Sequence, residues 1–408
     1  MLDFTSRSRF HLFLDTHNNA MISLHLHLLR WPAYVTLLAA LLLNLYIYNY
    51  PYLQNRTECI WRDDRGWNLD KSHEEVHLLA FGDPQIRGAS NTSNWRTRLD
   101  IFGNDHFLGH IYRVMAKRTK PNQVSVLGDL LSSQWITDDE FERRADRYFG
   151  RIFDESLVKN NDGYVMWYNI AGNHDIGYGG EMTRERIDRF ENRFGRVNYY
   201  VPRKGYRVVV LNNLALDGPV YEQQFQNDCW MFVDMVRQAR EQEPDVSTIL
   251  MTHVPLYKPA GICADGPMFK YYDNEYKWLR SQNHLSEDAT NRLLDGIFGR
   301  EDPRGVILAG HDHEGCVSSY SFDPGHGNWT VEGGRGNAVS EYTVRSMMGE
   351  FGGNTGLLTG SWNDTEGKYD FDYSLCPFVV QHLWWATKVV TIIATIVALP
   401  VAVSIHYS

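Results

Sequence analysis

The chain has 408 residues, 22% charged, 43% apolar and 13% aromatic, with 40 Lys and Arg against 50 Asp and Glu and a formal charge of −10. Such a chain is globular and large enough to bury a core without staples, which excludes intrinsic disorder. An acidic balance without a Lys/Arg block excludes a nucleic-acid binder that relies on a basic surface. Taken in order, residues 1–30 form a tail, and residues 31–50 (WPAYVTLLAALLLNLYIYNY) carry no charge. At 1.5 Å per residue this stretch is about 30 Å long as a helix, the hydrocarbon thickness of a bilayer. Trp31, Tyr46, Tyr48 and Tyr50 stand near its edges, where amphipathic rings favour the membrane interface. The long leader and the lack of a small-residue cleavage site argue against a signal peptide.

From residue 76 onward, short apolar runs alternate with helix-like stretches, the α/β pattern. The runs are 76–81, 123–127, 165–170, 207–211, 248–251 and 306–309; the helical stretches are 138–157, 181–194, 226–241 and 287–298. After Cys316 the chain is Gly-rich, with strand signals at 328–332, 342–347 and 356–358, and a second sheet is expected to close the domain. The core of this domain is read as 76–365. A second apolar stretch, 383–405, carries only Lys388, early enough to snorkel; Trp384 and Trp385 mark its edge, and Pro400 is tolerable there. Two spans put residues 51–382 on one side of a membrane and the tails 1–30 and 406–408 on the other. Arg7, Arg9 and Arg30 before the first span balance Arg56, Arg62 and Arg65 after it, so basic residues do not choose the side. Sequons at Asn55, Asn91, Asn328 and Asn363 permit a lumenal domain. The five cysteines show no metal-binding spacing; in an oxidising lumen one or two disulfides are expected, and a Cys59–Cys376 pair would clamp the ends of the domain.

Five of the apolar runs end on a metal-capable or polar side chain. These are FGDPQ with Asp83 and Gln85, LGDLLSS with Asp129, IAGNHD with Asn173, His174 and Asp175, MTHVP with His253, and LAGHDHEG with His311 and His313. Ligands of open α/β sheets collect at the carboxyl ends of strands, so these loops are expected to converge. Carboxylate, amide and imidazole donors together suit Mn, Fe or Zn better than an all-oxygen calcium site. Each element alone is weak, since Gly-Asp usually marks a turn and a lone His is usually structural. Five in this order are not accidental.

The order D-x-Q…GD…GNHD…H…GHDH resembles the calcineurin-like metallophosphoesterase superfamily, over about residues 76–320. The resemblance implies a four-layer α/β/β/α sandwich, here set between two transmembrane helices, and two divalent metal ions sharing one carboxylate. It makes Asp129 the shared ligand. Asp83 and His313, with Gln85 alongside, go to one metal, and Asn173, His253 and His311 to the other. His174 is implied to face the phosphate and protonate the leaving oxygen, with Asp175 a candidate to orient its ring or to cap the following helix. Gln85 departs from the usual His; its amide oxygen is a weaker ligand that favours a harder ion, so Mn2+ is expected, with Zn2+ or Fe as alternatives.

The longer segments AGNHDIGY (171–178), RFENRFG (189–195), VVVLNNLALDG (208–218), THVPLYK (252–258), HLSEDATNRLL (284–294) and VILAGHDHEGC (306–316) are similar to the membrane-bound metallophosphoesterases that remodel GPI anchors in the secretory pathway. The Asp83-x-Gln85 block is similar to their fungal branch. This resemblance implies removal of an ethanolamine-phosphate branch from a mannose of the GPI glycan, GPI lipid or GPI-anchored proteins as substrate, and support of their export from the endoplasmic reticulum. It places the catalytic domain in the lumen of the endoplasmic reticulum or early Golgi, both termini in the cytosol, and cargo receptors among the candidate contacts; the oligomeric state stays open. Trp95, Trp135 and Trp362 are candidates to stack on sugar rings, and Asp105 and Glu341 to pair with the ethanolamine ammonium. Two further readings stand beside this one: a membrane phosphodiesterase or phosphatase for a nucleotide or phospholipid headgroup, and a non-catalytic trafficking adaptor on the same fold.

Overall fold

Residues 54–380 fold as one compact unit, and the two terminal segments form another. The computed structural model describes residues 5–54, 56–62, 74–89, 92–158, 165–335 and 339–406, without the side chains of 5–29 and 404–406. The sequons at Asn55 and Asn91 lie outside the described residues.

Three buried runs, β1 (Val76–Phe81), β2 (Gln123–Val126) and β3 (Met166–Asn169), pair in parallel. Two antiparallel strands, β13 (Asn354–Asn363) and β14 (Lys368–Pro377), add beyond β1, giving the order β14-β13-β1-β2-β3. The other sheet is built on parallel β5 (Tyr206–Val210), β6 (Ser247–Met251), β9 (Gly305–Ala309) and β12 (Val339–Thr343). Antiparallel β4 (Tyr199–Pro202) flanks β5, while β10 (Cys316–Asp323) and β11 (Asn328–Gly333) complete seven strands on the far side. The strands after Cys316 therefore do not make a sheet of their own, as the sequence pattern suggested. They divide between two sheets that the parallel strands have already built, β10–β12 going to one and β13–β14 to the other.

The sheets face each other across a common core. Val76, Leu78 and Ala80 from β1 and Leu358 from β13 meet Val208, Val210, Ile249, Met251, Val306 and Leu308 from the second sheet. The period of two puts every second residue into this layer. Shortening one of these side chains, Leu308→Ala for example, costs about 2–5 kcal/mol. Against the outer face of β1, Phe81 packs on Tyr112 of α2 (Trp95–Thr119) and on Phe153. On the seven-stranded side stand α6 (Gln223–Gln242) and α7 (Glu287–Ile297); Arg207 of β5 donates to the Glu243 carbonyl and the Trp329 N–H of β11 to Asn291. These layers make a mixed α/β unit, two facing sheets with helices on their outer sides.

Helix boundaries follow local chemistry. Thr137 caps α3 (Asp138–Arg147), accepting from the Glu140 N–H, and acidic residues fill its first turn. The expected helix over 138–157 stops at Arg147 because Tyr148, Phe149 and Phe153 turn inward onto Phe194 and Trp167, and the chain continues as a π turn at 148–152. Two further α-helices among the described residues are α4 (Asn173–Ile176) and α5 (Arg184–Phe194).

Disulfides join Cys59 to Cys376 and Cys263 to Cys316, leaving Cys229 buried as a thiol. Asn328 is exposed, whereas the Asn363 amide is half-buried and donates to Asp370.

In the terminal unit, α1 runs from Thr5 to Gln54, so the helix begins well before the apolar stretch that the sequence singled out, and α8 covers Gln381–His406. Segments Arg30–Gln54 and Gln381–Val403 are long and apolar enough to cross a membrane. Asn44 of α1 donates to the Thr391 hydroxyl of α8 at 2.8 Å, and Lys388 Nζ stands 5.4 Å from the Tyr48 ring centre.

Candidate metal centre

The carboxyl ends of β1, β2 and β3 in one sheet and of β6 and β9 in the other deliver the predicted residues to one place. Asp83 and Asp129 leave β1 and β2 through single glycines. A Cβ on Gly128 would overlap the His253 imidazole, and one on Gly172 would overlap Asp129, so these two positions admit only glycine. Asp83, Gln85, Asp129 and His311 adopt positive φ (45°, 41°, 49° and 73°), four of the six non-glycine residues that do so among the described residues. Left-handed backbone costs such residues about 1–3 kcal/mol each, and it persists where the surroundings over-determine it, typically at functional sites.

Two groups of donors emerge, each with its ligand atoms within 4.8 Å of one another: Asp129, His253 and His311, and Asp83, Asp129 and His313. Asp129 belongs to both. The His253 Nε2 lies 3.3 Å from Asp129 Oδ1 and 3.1 Å from the Asn173 amide oxygen, so Asn173 joins the first group. His313 Nε2 lies 3.9 Å from Asp83 Oδ1 and 3.2 Å from the Gln85 Nε2, so Gln85 stands beside the second. The Gln85 amide donates to Asp129 Oδ2 at 3.2 Å; a half-turn of the amide places its oxygen at the same spot, where it can accept a cation.

Backbone carbonyls set the two buried imidazoles. His253 Nδ1–H donates to the Leu127 carbonyl at 2.7 Å, leaving Nε2 for a ligand, and His311 Nε2–H donates to the Gln282 carbonyl at 2.9 Å, leaving Nδ1. Burial, helped by the charge of His253, lowers the His311 pKa to about 3, so it stays a neutral donor. Burial also disfavours charge on His253, but the adjoining Asp129 carboxylate outweighs it and holds this pKa at about 9. A cation taking that proton's place releases it. Burial pushes the Asp83 carboxyl well above the usual range. Asp129 is equally buried, yet the surrounding histidines, His253 and His174 first, hold it below the ordinary value. The carboxylates, imidazoles and the Asn173 oxygen thus fit two divalent ions sharing Asp129.

His174 is the second residue of α4 next to this centre, its side chain 39% exposed. Its N–H donates to Asp129 Oδ1 at 2.8 Å, and its Nε2 stands 3.8 Å from Asp129 Oδ2. Asp175 does not orient the His174 ring. Its buried carboxylate accepts from the N–H groups of Leu130 (3.1 Å), Leu131 (2.8 Å) and Gly172 (2.9 Å). It staples the Asp129 loop to the Asn173 loop and is a positioning residue. Burial, with the neighbouring Asp129 charge, raises its pKa to about 7 against the pull of those three donors.

The proposed ammonium partners are also corrected. Asp105 is fully buried in α2 and is taken by Arg147 (2.8 Å) and Arg151 (3.1 Å); Glu341 is fully buried against Lys258 Nζ (2.7 Å) and the Tyr320 hydroxyl (2.6 Å). Neither carboxylate faces a ligand. Trp362 packs edge-on to Tyr369 against the inter-sheet core and is no sugar platform, while Trp95 is exposed at the start of α2. Trp135 is 63% exposed in the loop that continues from Asp129. Residues not foreseen include Tyr178, whose hydroxyl lies 3.4 Å from His311 Nε2, and Phe351, edge-on to His313 at 4.8 Å. Tyr178 lies inside the AGNHDIGY segment; the carbonyls of Leu127 and Gln282 leave no side-chain signal to read.

A two-sheet α/β unit with a dinuclear donor set at its strand ends is the arrangement of metal-dependent phosphoester hydrolases. The family model of calcineurin-like phosphoesterases matches residues 76–315, and the chain belongs to that family. It is 37% identical to Protein TED1 of Saccharomyces cerevisiae, over 88% of this chain and 95% of that protein. It is 32% identical to an uncharacterized protein of Schizosaccharomyces pombe (69% of this chain, 68% of that one). Identity to Metallophosphoesterase 1 of Danio rerio is 25% (61% and 65%).

Proposed function

We propose that the protein is a membrane-anchored phosphodiesterase that removes an ethanolamine-phosphate branch from a mannose of the GPI glycan, in the lumen of the endoplasmic reticulum or early Golgi. The observation that carries the hydrolytic part is Asp129, shared by two donor groups with His174 beside it. The choice of substrate is supported by the six segments whose text is similar to the GPI-remodelling enzymes. Two apolar terminal helices suit a substrate whose glycan projects from a lipid. Two disulfides suit an oxidising lumen and, with the exposed Asn328 sequon, a catalytic unit on that side with both tails in the cytosol.

When bound, two divalent ions, Mn2+ being the expected pair, supply Lewis acidity and acidify water. The chain supplies the rest. Asp83, Asp129, Asn173, His253, His311 and His313 would hold the ions, and Gln85 supports the second site. Water oxygen adds to phosphorus and releases one proton to solvent, the bond from phosphorus to the mannose oxygen breaks, and His174 Nε2 gives that oxygen a proton that it regains from solvent. Asp175 keeps the loops that carry Asp129 and Asn173 in register. Purified full-length protein with Mn2+ is expected to release ethanolamine phosphate from a defined GPI glycan. Absence of release together with turnover of a nucleotide ester or a phospholipid headgroup contradicts this reading.

A further inference from the structure

A concavity that the reaction as described does not use is built on segments that also carry the metal centre. It holds about 310 Å³ and is walled by Trp135, Tyr221, Tyr272 and Trp278, with Glu181 and Arg186 between them. Its segments run straight into the metal centre. Trp135 is six residues beyond Asp129, a reach of at most about 22 Å along extended chain. The Glu181 N–H donates to the carbonyl of Tyr178, whose hydroxyl touches His311, so Glu181 is one turn away from a ligand-bearing loop. Trp278 leads into β8 (Leu279–Gln282), where the Gln282 carbonyl fixes the His311 ring.

The chemistry of the walls selects a ligand class. Arg186 lies over one face of Trp135 at 4.1 Å, and Tyr276 stacks on one face of Trp278 at 5.0 Å. Tyr221 meets Trp278 at 4.8 Å with the rings near perpendicular, so Trp135 is the one-sided platform, unlike the two-sided sandwich that grips a planar base. The two charged groups are already engaged in hydrogen bonds: Glu181 accepts from Gln134 Nε2 at 2.6 Å and from the Tyr272 hydroxyl, and Arg186 donates to the Glu181 carbonyl. An ammonium would meet a guanidinium already occupying the Trp135 face. What remains is flat apolar surface rimmed by Asn274 and Thr183, with Trp135 63% and Tyr221 49% exposed. A pyranose matches it, with its C–H face on an aromatic ring and its hydroxyl edge on polar groups.

We infer that this cavity holds one neutral hexose of the substrate glycan and thereby sets which phosphoester reaches the metal centre. The inference rests on the glycan substrate proposed above. The aromatic box is a specificity element, and Trp135 and Tyr221 are its accessible anchors.

The test uses full-length protein in detergent with Mn2+ and mannotriose as probe, read by saturation-transfer NMR and indole fluorescence. Saturable binding is expected, weakened at least tenfold by Trp135→Ala and by Tyr221→Ala and held within threefold by Trp135→Phe. Both truncated residues are exposed, so folding is checked by an unchanged melting profile. With GPI glycan as substrate, the alanine variants are expected to raise KM about tenfold with kcat within threefold. Wild-type KM and wild-type mannotriose affinity in Trp135→Ala overturn the inference, as does adenosine occupying the cavity where mannotriose does not. If the protein binds mannotriose through Trp135 yet releases no ethanolamine phosphate, the substrate reading fails and the hexose site stands.

Discussion

Buried carboxylates occur in two settings in the α/β unit. Asp105 and Glu341 are fully buried, and each has a cation from the protein itself: Arg147 and Arg151 for the first, Lys258 for the second. Asp83 and Asp129 are as deeply buried at the ends of β1 and β2, but their described neighbours are imidazoles, an amide and backbone N–H groups. Burying a carboxylate without a fixed counter-charge is expensive, and proteins accept it where a cation arrives from outside. The difference separates carboxylates that hold the fold from carboxylates that hold metal. In the sequence Asp83 and Asp129 stand out at strand ends, whereas nothing local marks Asp105 and Glu341 as ion-pair partners.

Each side of this contrast can be broken separately. Asp129→Asn removes the ligand common to both donor groups, and we expect hydrolysis to fall by at least about 10³-fold in a steady-state phosphodiester assay. For His174→Ala, a loss of about 10²–10⁴-fold in kcat is expected with bound metal retained, as for the removal of a general acid. Unchanged export of GPI-anchored proteins in cells carrying that variant would favour the trafficking adaptor. Glu341→Gln acts on the other setting. It leaves the Lys258 ammonium buried and unpaired, and denaturant unfolding should show a loss of about 3–5 kcal/mol. Replacing both partners, Lys258→Met with Glu341→Leu, should recover most of it; if the pair also binds metal, the double variant loses metal instead. The smallest change is expected from Gln85→His, which should tighten the second site about tenfold by competitive metal titration. A weaker site there shows that the amide is already the better ligand.

The metal centre was legible because its residues are short-range signals, each two to four positions past the end of a strand. Position along the strand decides direction, so Asp83, Asp129, His253 and His311 needed no tertiary information. Asp175 was misread because neighbours in a helical turn point about 100° apart, so it faces Leu130, Leu131 and Gly172 and not the His174 ring. Asp105 and Glu341 were misread because their partners lie 42 and 83 residues away. The same limit hid the division of the late strands, since β13 pairs with β1 across most of the chain. Nothing in the local pattern of 354–363 names that partner.

Metal content tests the central claim most directly. After chelation, reloading with Mn2+ and removal of excess ion, elemental analysis should find two ions per wild-type chain. The same analysis should find none or one in folded Asp129→Asn and two in folded Asp175→Asn. Two ions retained in Asp129→Asn would contradict a centre built around one shared carboxylate.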